Sequence, residues 1–350
     1  MAQLSHHSVW CFMKRLISLS IVNVLLALTA FGQSTAITKT GTTAASFLKI
    51  GVGARAIGMG GAYTAVSDDI SALYWNPAGL GFATYGEAVF NHVDWILDTR
   101  FDFAATTLVI DGLGTIGASF STMGVGDMYV TTTAMPEGTG EKFTAGATMF
   151  GLLFSKNLTD KFAIGFNVKY IRENVWNMSA QSIGIDVGTM YIAPVLNGLR
   201  IGASMANFGP KMRLEGRDNL VLVKTGAGGK NIINSGYELD SYDLPLIFRV
   251  GLATDAFKMD NNRLTLAVDA VHPNDNTEYV NSGIEYSWAN IISLRAGWKS
   301  AYERGGEQGL TFGAGVQYEF SSPVEFLIDY AYQDFGRLKE VHYFSVGLRF

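Results

Sequence analysis

The sequence has a single cysteine, few charged residues and no long apolar run beyond its N-terminus. Cys11 lies within the first 32 residues, which are predicted below to be removed. Without another cysteine, the rest of the chain can form no disulfide, thiolate zinc site or catalytic thiol. Charged residues make up 16% of the chain, against about 25% in soluble domains. Together with 40 glycines, 22 Phe and 15 Tyr, this composition favours β-structure packed against an apolar environment.

The residues that nucleic-acid binding and catalysis need are also scarce. The 26 Lys and Arg are outnumbered by 31 Asp and Glu, and no basic cluster is present, which argues against a nucleic-acid partner. Beyond residue 32 the histidines are His92, His272 and His342, and none has a second ligand at metal-site spacing. The G-x-S-x-G sequence of hydrolases is missing. We therefore expect no enzyme activity, no catalytic residue, no metal site and no cofactor.

Residues 1–32 have the composition of a secretory signal peptide. The basic pair at 14–15 precedes an apolar run over 16–31, with small residues at Ala30 and Gly32. The alternative is a membrane anchor, but a run of about 16 residues is shorter than the ~20 that a spanning helix needs. The sequence therefore predicts an exported protein that is cleaved after Gly32.

From residue 85 onward, apolar and polar residues alternate. Over 162–170, for example, Phe, Ile, Phe, Val and Tyr alternate with Ala, Gly, Asn and Lys, and 263–270, 310–320 and 324–333 repeat the pattern. A period of two predicts strands with two chemically different faces. A soluble β-sandwich would satisfy this pattern, and so would a transmembrane barrel.

Strand length and aromatic placement favour the barrel. The alternating segments run for about 9–13 residues and many end in Tyr, Trp or Phe, as in outer-membrane barrels, whereas strands of soluble sheets are shorter. The lumen would be lined by the polar face, which carries Lys169, Asp186, Arg249, Asp269, Glu285, Arg295, Glu319, Asp329 and Arg349.

The fold class predicted is all-β, a transmembrane antiparallel β-barrel of about 14 strands over residues 85–350. The predicted strands are 85–92, 100–110, 114–123, 143–155, 161–173, 180–193, 199–207, 245–254, 263–272, 278–288, 292–300, 308–320, 323–333 and 341–350. Connections after even-numbered strands are short, and the longest ones, 124–142 and 208–244, follow odd-numbered strands. This parity predicts short periplasmic turns, long outer loops and both termini of the mature chain in the periplasm. The terminal Phe350 resembles the signal read by the barrel assembly machinery.

Residues 33–84 are predicted to form an N-terminal plug, within the barrel or at its periplasmic mouth. The segment 46–81 does not alternate and is rich in glycine, which permits close backbone approach. Ser67, Asp68 and Asp69 predict the start of a short helix, with acids at its positive end. Asn76-Pro77 predicts its end. Read as a paired-acid site instead, Asp68 and Asp69 would need catalytic partners that the sequence does not offer.

This segment resembles the N-terminal signature of the PorV/PorQ family of Bacteroidota outer-membrane proteins, which are similar to FadL fatty-acid transporters. The resemblance rests on Phe47-Leu48, Gly53-Ala54-Arg55, Gly58-Met59-Gly60-Gly61-Ala62, Asp68-Asp69, Ala72-Leu73 and Trp75-Asn76-Pro77-Ala78. It implies a fourteen-stranded barrel with an N-terminal hatch in the outer membrane of a Gram-negative bacterium. Candidate functional residues in this plug motif are Arg55, Gly58, Gly60, Gly61, Asp68, Asp69, Trp75, Asn76 and Pro77.

Three functions are compatible with these features. The resemblance implies a component of type IX protein secretion that binds or shuttles secretion-system proteins or cargo signal domains; the outer loops, with Lys211, Arg213, Arg217, Lys224 and Lys230, would provide the surface. The alternative is a FadL-like transporter of long-chain fatty acids or other hydrophobic molecules, with Trp95, Trp176 and Tyr129 as an outer capture site. The polar lumen argues against transport. A porin-like role is the third, and the plug argues against an open pore. Expected partners in all cases are outer-membrane lipid and the barrel assembly machinery.

Overall fold

The computed structural model describes residues 39–226, 231–259, 261–303, 305–321 and 324–350. The predicted signal peptide at 1–32, the first residues of the predicted plug at 33–38, and Lys230 lie outside the described residues. Within the described ranges, no helix is both long enough and apolar enough to cross a membrane.

Fourteen strands form the wall of the molecule. The first seven are β1 (Glu87–Trp95), β2 (Thr99–Ile110), β3 (Gly114–Gly124), β4 (Ala145–Thr159), β5 (Phe162–Val175), β6 (Met178–Ala193) and β7 (Leu199–Phe208). The second seven are β8 (Ile247–Met259), β9 (Asn262–Pro273), β10 (Tyr279–Trp288), β11 (Ile292–Ala301), β12 (Leu310–Ser321), β13 (Val324–Asp334) and β14 (Glu340–Arg349). Each overlaps one of the strands predicted from the alternation.

The sheet closes on itself. Each strand pairs antiparallel with its neighbours in sequence, and β14 returns to pair with β1 from Glu87 opposite Arg349 to Asp94 opposite His342. Beyond that seam, Gly86 and Phe350 exchange both of their backbone hydrogen bonds, at 2.8 and 2.9 Å. The predicted fourteen-stranded antiparallel barrel is therefore confirmed.

Alternation along each strand separates an apolar outer face from an inner face of different chemistry. On β5, Phe166, Val168 and Tyr170 are exposed on the outside, whereas Asn167 and Lys169 are buried in the lumen. Exposed aromatic and aliphatic side chains continue around the wall on most other strands. A closed barrel with an apolar outer band is the arrangement that spans an outer membrane.

The two ends of the barrel differ in their connections. One end, here called the short-turn end, carries connections such as 111–113, 194–198 and 289–291. The other, the long-loop end, carries 125–144, where Met128–Tyr129 pairs with Lys142–Phe143, and 209–246. Within 209–246, Leu220–Thr225 and Asn231–Gly236 pair as an antiparallel hairpin, here called the loop hairpin. The parity predicted from the sequence is present.

Residues 39–86 form a plug inside the barrel. Its regular elements are a 3-10 helix at Ser46–Lys49, α1 (Ala54–Gly58), α2 (Ala72–Trp75) and a 3-10 helix at Pro77–Phe82. Most of its residues are buried, including Ile57, Met59, Tyr63 and Leu73. The expected helix start at Ser67-Asp68-Asp69 was wrong: α2 begins at Ala72, after Ser71, because both carboxylates are engaged by other groups.

The plug runs lengthwise through the lumen. At the long-loop end, the amide of Ala44 donates to the Asp243 carbonyl (2.9 Å), and the Thr43 hydroxyl donates to Asp275 (2.8 Å). The plug then reaches the short-turn end, where Gly86 meets Phe350. The mature N-terminus, predicted to lie in the periplasm, is outside the described residues, whereas residues 39–44 lie at the long-loop end. An even strand count fixes the ends of β1 and β14 but not the path of the chain before β1.

Candidate functional site

Arg55 of α1 connects the plug to the barrel wall at the short-turn half of the lumen. Its Nε and one NH2 group donate to the two carboxylate oxygens of Glu285 on β10, at 2.8 and 2.9 Å. Its remaining nitrogen donates to Asp68 (2.6 Å) and Asp69 (3.0 Å). Two parallel bonds to one carboxylate fix the orientation of a guanidinium as well as its position, so Arg55 holds the plug in a defined register.

The ion pairs continue along the wall. Glu285 also accepts from Arg295 on β11 (2.7 Å), and Arg295 in turn donates to Asp329 on β13 (2.5 Å). Arg263 on β9 lies 3.5 Å from Glu285. Because the Glu285 and Arg295 side chains are almost completely buried, each charge depends on its partners to offset the loss of water.

The electrostatics of the plug residues follow from this cluster. Burial opposes the charged form of Arg55, but attraction to Asp68 and Glu285 outweighs it and raises the pKa of Arg55 well above its usual value. For Asp68, burial acts to raise the pKa, and attraction to Arg55 reverses the balance and lowers it. Both residues are therefore ionised at neutral pH, as a fixed pair requires.

Asp69 is occupied by contacts within the plug. One of its oxygens accepts from the Tyr63 hydroxyl (2.5 Å), and the other accepts from the Ser71 amide (3.0 Å) and hydroxyl (2.5 Å). The Arg55 guanidinium also lies over the Tyr63 ring, 5.5 Å from its centroid. Asp68 and Asp69 thus bind Arg55 and shape the turn before α2, rather than forming a paired-acid site.

A second set of contacts places plug backbone directly on wall backbone. A Cβ added at Gly297 of β11 would lie 2.2 Å from the Gly60 nitrogen, and one at Gly283 of β10 would lie 2.3 Å from the Met59 oxygen. Gly58 faces Gly313 of β12 in the same way, at 3.0 Å. Gly60 itself has a φ of +67°, which favours glycine. We call Gly283, Gly297 and Gly313 the glycine seat.

The remaining motif residues anchor the opposite side of the plug. The Asn76 side-chain amide donates to the carbonyls of Thr64 (2.8 Å) and Thr189 on β6 (3.1 Å). Trp75 donates from its indole nitrogen to the Val52 carbonyl (2.8 Å), and Gly61 packs against its ring. Pro77 lies against a further wall glycine, Gly165 of β5.

Between the plug and the short turns lies an open polar cavity of about 800 Å³, here called the vestibule. Its floor includes Arg55 and Asp68, and its walls come from both sides of the ring. Charged side chains around it include Lys258, Arg263, Glu87, Glu319, Glu325 and Arg349.

Part of the long-loop half of the lumen, between β2 and β4, is apolar instead. Phe47 and Leu48 of the plug pack with Phe101 and Phe103 of β2 and with Met149 of β4, leaving a residual cavity of only about 10 Å³. The expectation of a uniformly polar lumen was therefore wrong, although Lys169, Asp186, Arg249, Asp269, Glu285 and Arg295 are buried as expected. The sequence indicates this apolar region, because the inward-facing positions of β1 and β2 include the apolar residues Val93, Phe101 and Phe103.

The three aromatic residues considered as an outer capture site do not form one cluster. Trp95 packs against Phe335 and Tyr343, with ring centroids 5.2 and 6.4 Å apart. Trp176 contacts Phe143, whereas Tyr129 faces Lys142. Among the residues that the structure describes, no group of His, Cys, Asp or Glu side chains could hold a metal ion.

The long loop 209–246 exposes apolar side chains, and most of its described cations are paired; Lys224 is exposed and forms no ion pair with another described residue. Lys211 lies 3.5 Å from Asp243, and Arg213 lies 2.7 Å from Glu215. Arg217 lies 3.9 Å from Asp218. The exposed large apolar residues of this loop are Leu220, Leu222, Val223, Ile232, Ile233, Tyr237 and Tyr242.

Solved structures with this fold include two toluene transporters. The Pseudomonas putida transporter TodX is 12% identical, with a TM-score of 0.52 over 85% of this chain and 97% of that one. The Ralstonia pickettii transporter TbuX is 13% identical, with a TM-score of 0.53 over 85% and 97%. At such identities the likeness shows the fold alone. No curated protein matched the chain in a sequence search.

A family comparison is more specific. The model of the family described as type IX secretion system protein PorV matches residues 33–239. That range covers more than half of the chain, including the whole plug motif and the first seven strands. The chain therefore belongs to the PorV family of type IX secretion outer-membrane barrels.

Proposed function

We propose that this barrel is a binding or shuttling component of type IX secretion that contacts protein partners through its outer loops. The observation that carries the proposal is the contrast between a plugged lumen and an exposed apolar loop hairpin. A protein whose lumen is filled by its own plug has its largest accessible recognition surface outside. The partners would be secretion-system proteins or cargo signal domains.

The loop hairpin exposes apolar side chains on both of its faces. Leu220, Leu222 and Ile232 share one face by register, and Val223 and Ile233 share the other. Leu222 is 72% exposed and Ile232 is 60% exposed. Exposed apolar surface of this kind, on a loop outside the barrel, supports a protein–protein contact.

The test replaces residues 220–236 by a short Gly-Ser linker. The buried residues Met212 and Leu244 at the base of the loop stay in place, so the barrel is expected to fold. The variant should lose co-purification with secretion-system proteins while keeping its heat-modifiable mobility. A matched variant that shortens 128–143 serves as control for loop removal in general. If the 220–236 variant retained every partner, the proposed role of the loop hairpin would be refuted.

Transport of hydrophobic molecules is the second candidate, and the apolar half of the lumen favours it. Phe101, Phe103 and Met149 would suit an apolar ligand, but the plug occupies that space and leaves about 10 Å³. Transport would thus require Phe47 and Leu48 to move. Saturable binding of a labelled fatty acid to the purified barrel, abolished by Phe103→Asp, would support transport.

We infer a non-catalytic protein in the outer membrane of a member of the Bacteroidota, surrounded by outer-membrane lipid. Phe350 is proposed as the residue read by the barrel assembly machinery, since it directly follows β14 and exchanges backbone hydrogen bonds with Gly86 at the seam. Deleting Phe350 should reduce the amount of folded barrel in the membrane, measured by heat modifiability, and an unchanged amount would contradict this role.

A further inference from the structure

The vestibule has two charged margins that the plug does not use. One margin lies at the β8–β9 connection, where Lys258 and Arg263 line the cavity; we call it the basic margin. The other lies where β12 and β13 meet, with Glu319 and Glu325; we call it the acidic margin. Two strands, β10 and β11, separate the two margins around the ring, and both margins line the same cavity.

Lys258, Arg263 and Glu319 keep charge available for a ligand, whereas Glu325 is paired with Arg349 (3.1 Å) and accepts from Gln317 (2.7 Å). Lys258 and Glu319 are exposed and form no ion pair with another described residue. The Arg263 side chain keeps 31% of its surface exposed and meets Glu285 only at 3.5 Å. By contrast, Glu285 is saturated by Arg55 and Arg295 at 2.7–2.9 Å.

An apolar strip lies next to the acidic margin. Val89 of β1, Leu327 of β13 and Ile70 of the plug line this part of the vestibule. A molecule that placed a cation against Glu319 could therefore also bury an adjacent apolar group. Toward the basic margin the lining is rich in side-chain amides, including Asn261, Asn262 and Asn290, which bond to peptide groups.

We propose that the vestibule binds an extended segment of a periplasmic polypeptide. A basic side chain of the segment contacts Glu319, the apolar side chain beside it packs on Val89 and Leu327, and an acidic side chain contacts Lys258 and Arg263. The volume of about 800 Å³ lies in the range of ligand sites, roughly 300–1,000 Å³. The open mouth lets both ends of the segment continue outward. This site is at the opposite end of the barrel from the loop hairpin and does not depend on the proposed function.

The test uses the purified full-length barrel and a hexapeptide, Lys-Leu-Gly-Ser-Gly-Glu, capped at both ends and labelled with an uncharged dye. Fluorescence anisotropy should show saturable binding. Lys258→Gln and Glu319→Gln should each weaken it by about two- to five-fold, as for partly exposed ion pairs. Lys211→Gln, at the long-loop end, is the matched control and should leave binding unchanged.

A charge exchange separates recognition from loss of folding. The double variant Lys258→Glu with Glu319→Lys should bind the reversed sequence, Glu-Leu-Gly-Ser-Gly-Lys, more tightly than the original peptide. Partial unfolding of the barrel would lower its affinity for both peptides, but it would not reverse which of the two binds more tightly. Absence of saturable binding to the wild-type barrel, or the same peptide preference in the exchanged variant, would overturn the proposal.

Discussion

The two halves of the lumen hold the same plug by different chemistry. In the short-turn half, Arg55 is fixed by carboxylates and the backbone of Gly60 rests on the glycine seat, with the open vestibule alongside. In the long-loop half, Phe47 and Leu48 fill the space between β2 and β4 with apolar packing. Ion pairs demand fixed positions, whereas apolar packing tolerates repacking. The plug is thus anchored by ion pairs and backbone contacts in the short-turn half, and in the long-loop half by apolar packing beside the ion pair of Lys49 with Asp275 (2.6 Å).

The largest expected effect on stability comes from breaking the ion pairs that Glu285 forms with Arg55 and Arg295 in the short-turn half. Glu285→Gln leaves Arg55 and Arg295 without their shared counter-charge, which should lower the free energy of unfolding by about 3–5 kcal/mol. Urea titration of the purified barrel, followed by tryptophan fluorescence, measures the change. Arg337→Gln is the control, because it removes the exposed pair with Glu307 and should shift the midpoint little. Equal midpoints for the two variants would refute the anchor.

The apolar packing in the long-loop half of the lumen is tested by making a cavity there. Phe103 is buried, and Phe103→Ala should destabilise by about 3 kcal/mol, since a large apolar side chain is lost and the space only partly collapses. It should also create binding of an uncharged hydrophobic dye that the wild type lacks. Phe120→Ala removes an outward-facing ring and should do neither. If Phe103→Ala bound no more dye than the wild type, the side chains of the long-loop half would have filled the cavity completely.

The glycine seat should respond to one methyl group. Gly297→Ala places a Cβ 2.2 Å from the Gly60 nitrogen, and moving the plug to relieve this contact should cost about 1–3 kcal/mol. Gly124→Ala is the matched control, because nothing lies within 4 Å of its Cβ position. The temperature at which each barrel loses its heat-modifiable mobility provides the comparison. An unshifted Gly297→Ala would mean that the plug does not rest on this wall.

The direction of the plug can be tested without changing stability. Residues 39–44 are at the long-loop end, so a cysteine replacing Thr40, in a chain with Cys11→Ser, should react with a membrane-impermeant maleimide on intact cells. Asp111→Cys, in a short turn, should react only after lysis. If instead the cysteine at 111 reacted on intact cells and the one at 40 only after lysis, the barrel would have the opposite orientation. If neither cysteine reacted before lysis, residue 40 would not be accessible from outside the cell.

The strands of the barrel wall could be predicted from the sequence better than the contacts of the plug inside the barrel. Alternation along each strand is a local property, so the fourteen strands and the outward position of Phe166 or Val168 could be predicted residue by residue. Which wall residues meet the plug depends on contacts between distant segments. The bonds from Arg55 to Glu285 and from Asn76 to Thr189 leave no pattern within either segment. For the same reason the sequence indicates only helix capping for Asp68 and Asp69, whereas the structure places both on Arg55.

The lengthwise course of the plug also constrains the order of biogenesis. The chain enters the lumen at the end that carries the long loops, crosses it, and leaves beside Phe350 to begin β1. Gly60 rests on Gly297 and Pro77 lies against Gly165, so residues 39–84 pack closely against the wall along this path. We expect the seam between β1 and β14 to close around a plug segment that already lies between the strands.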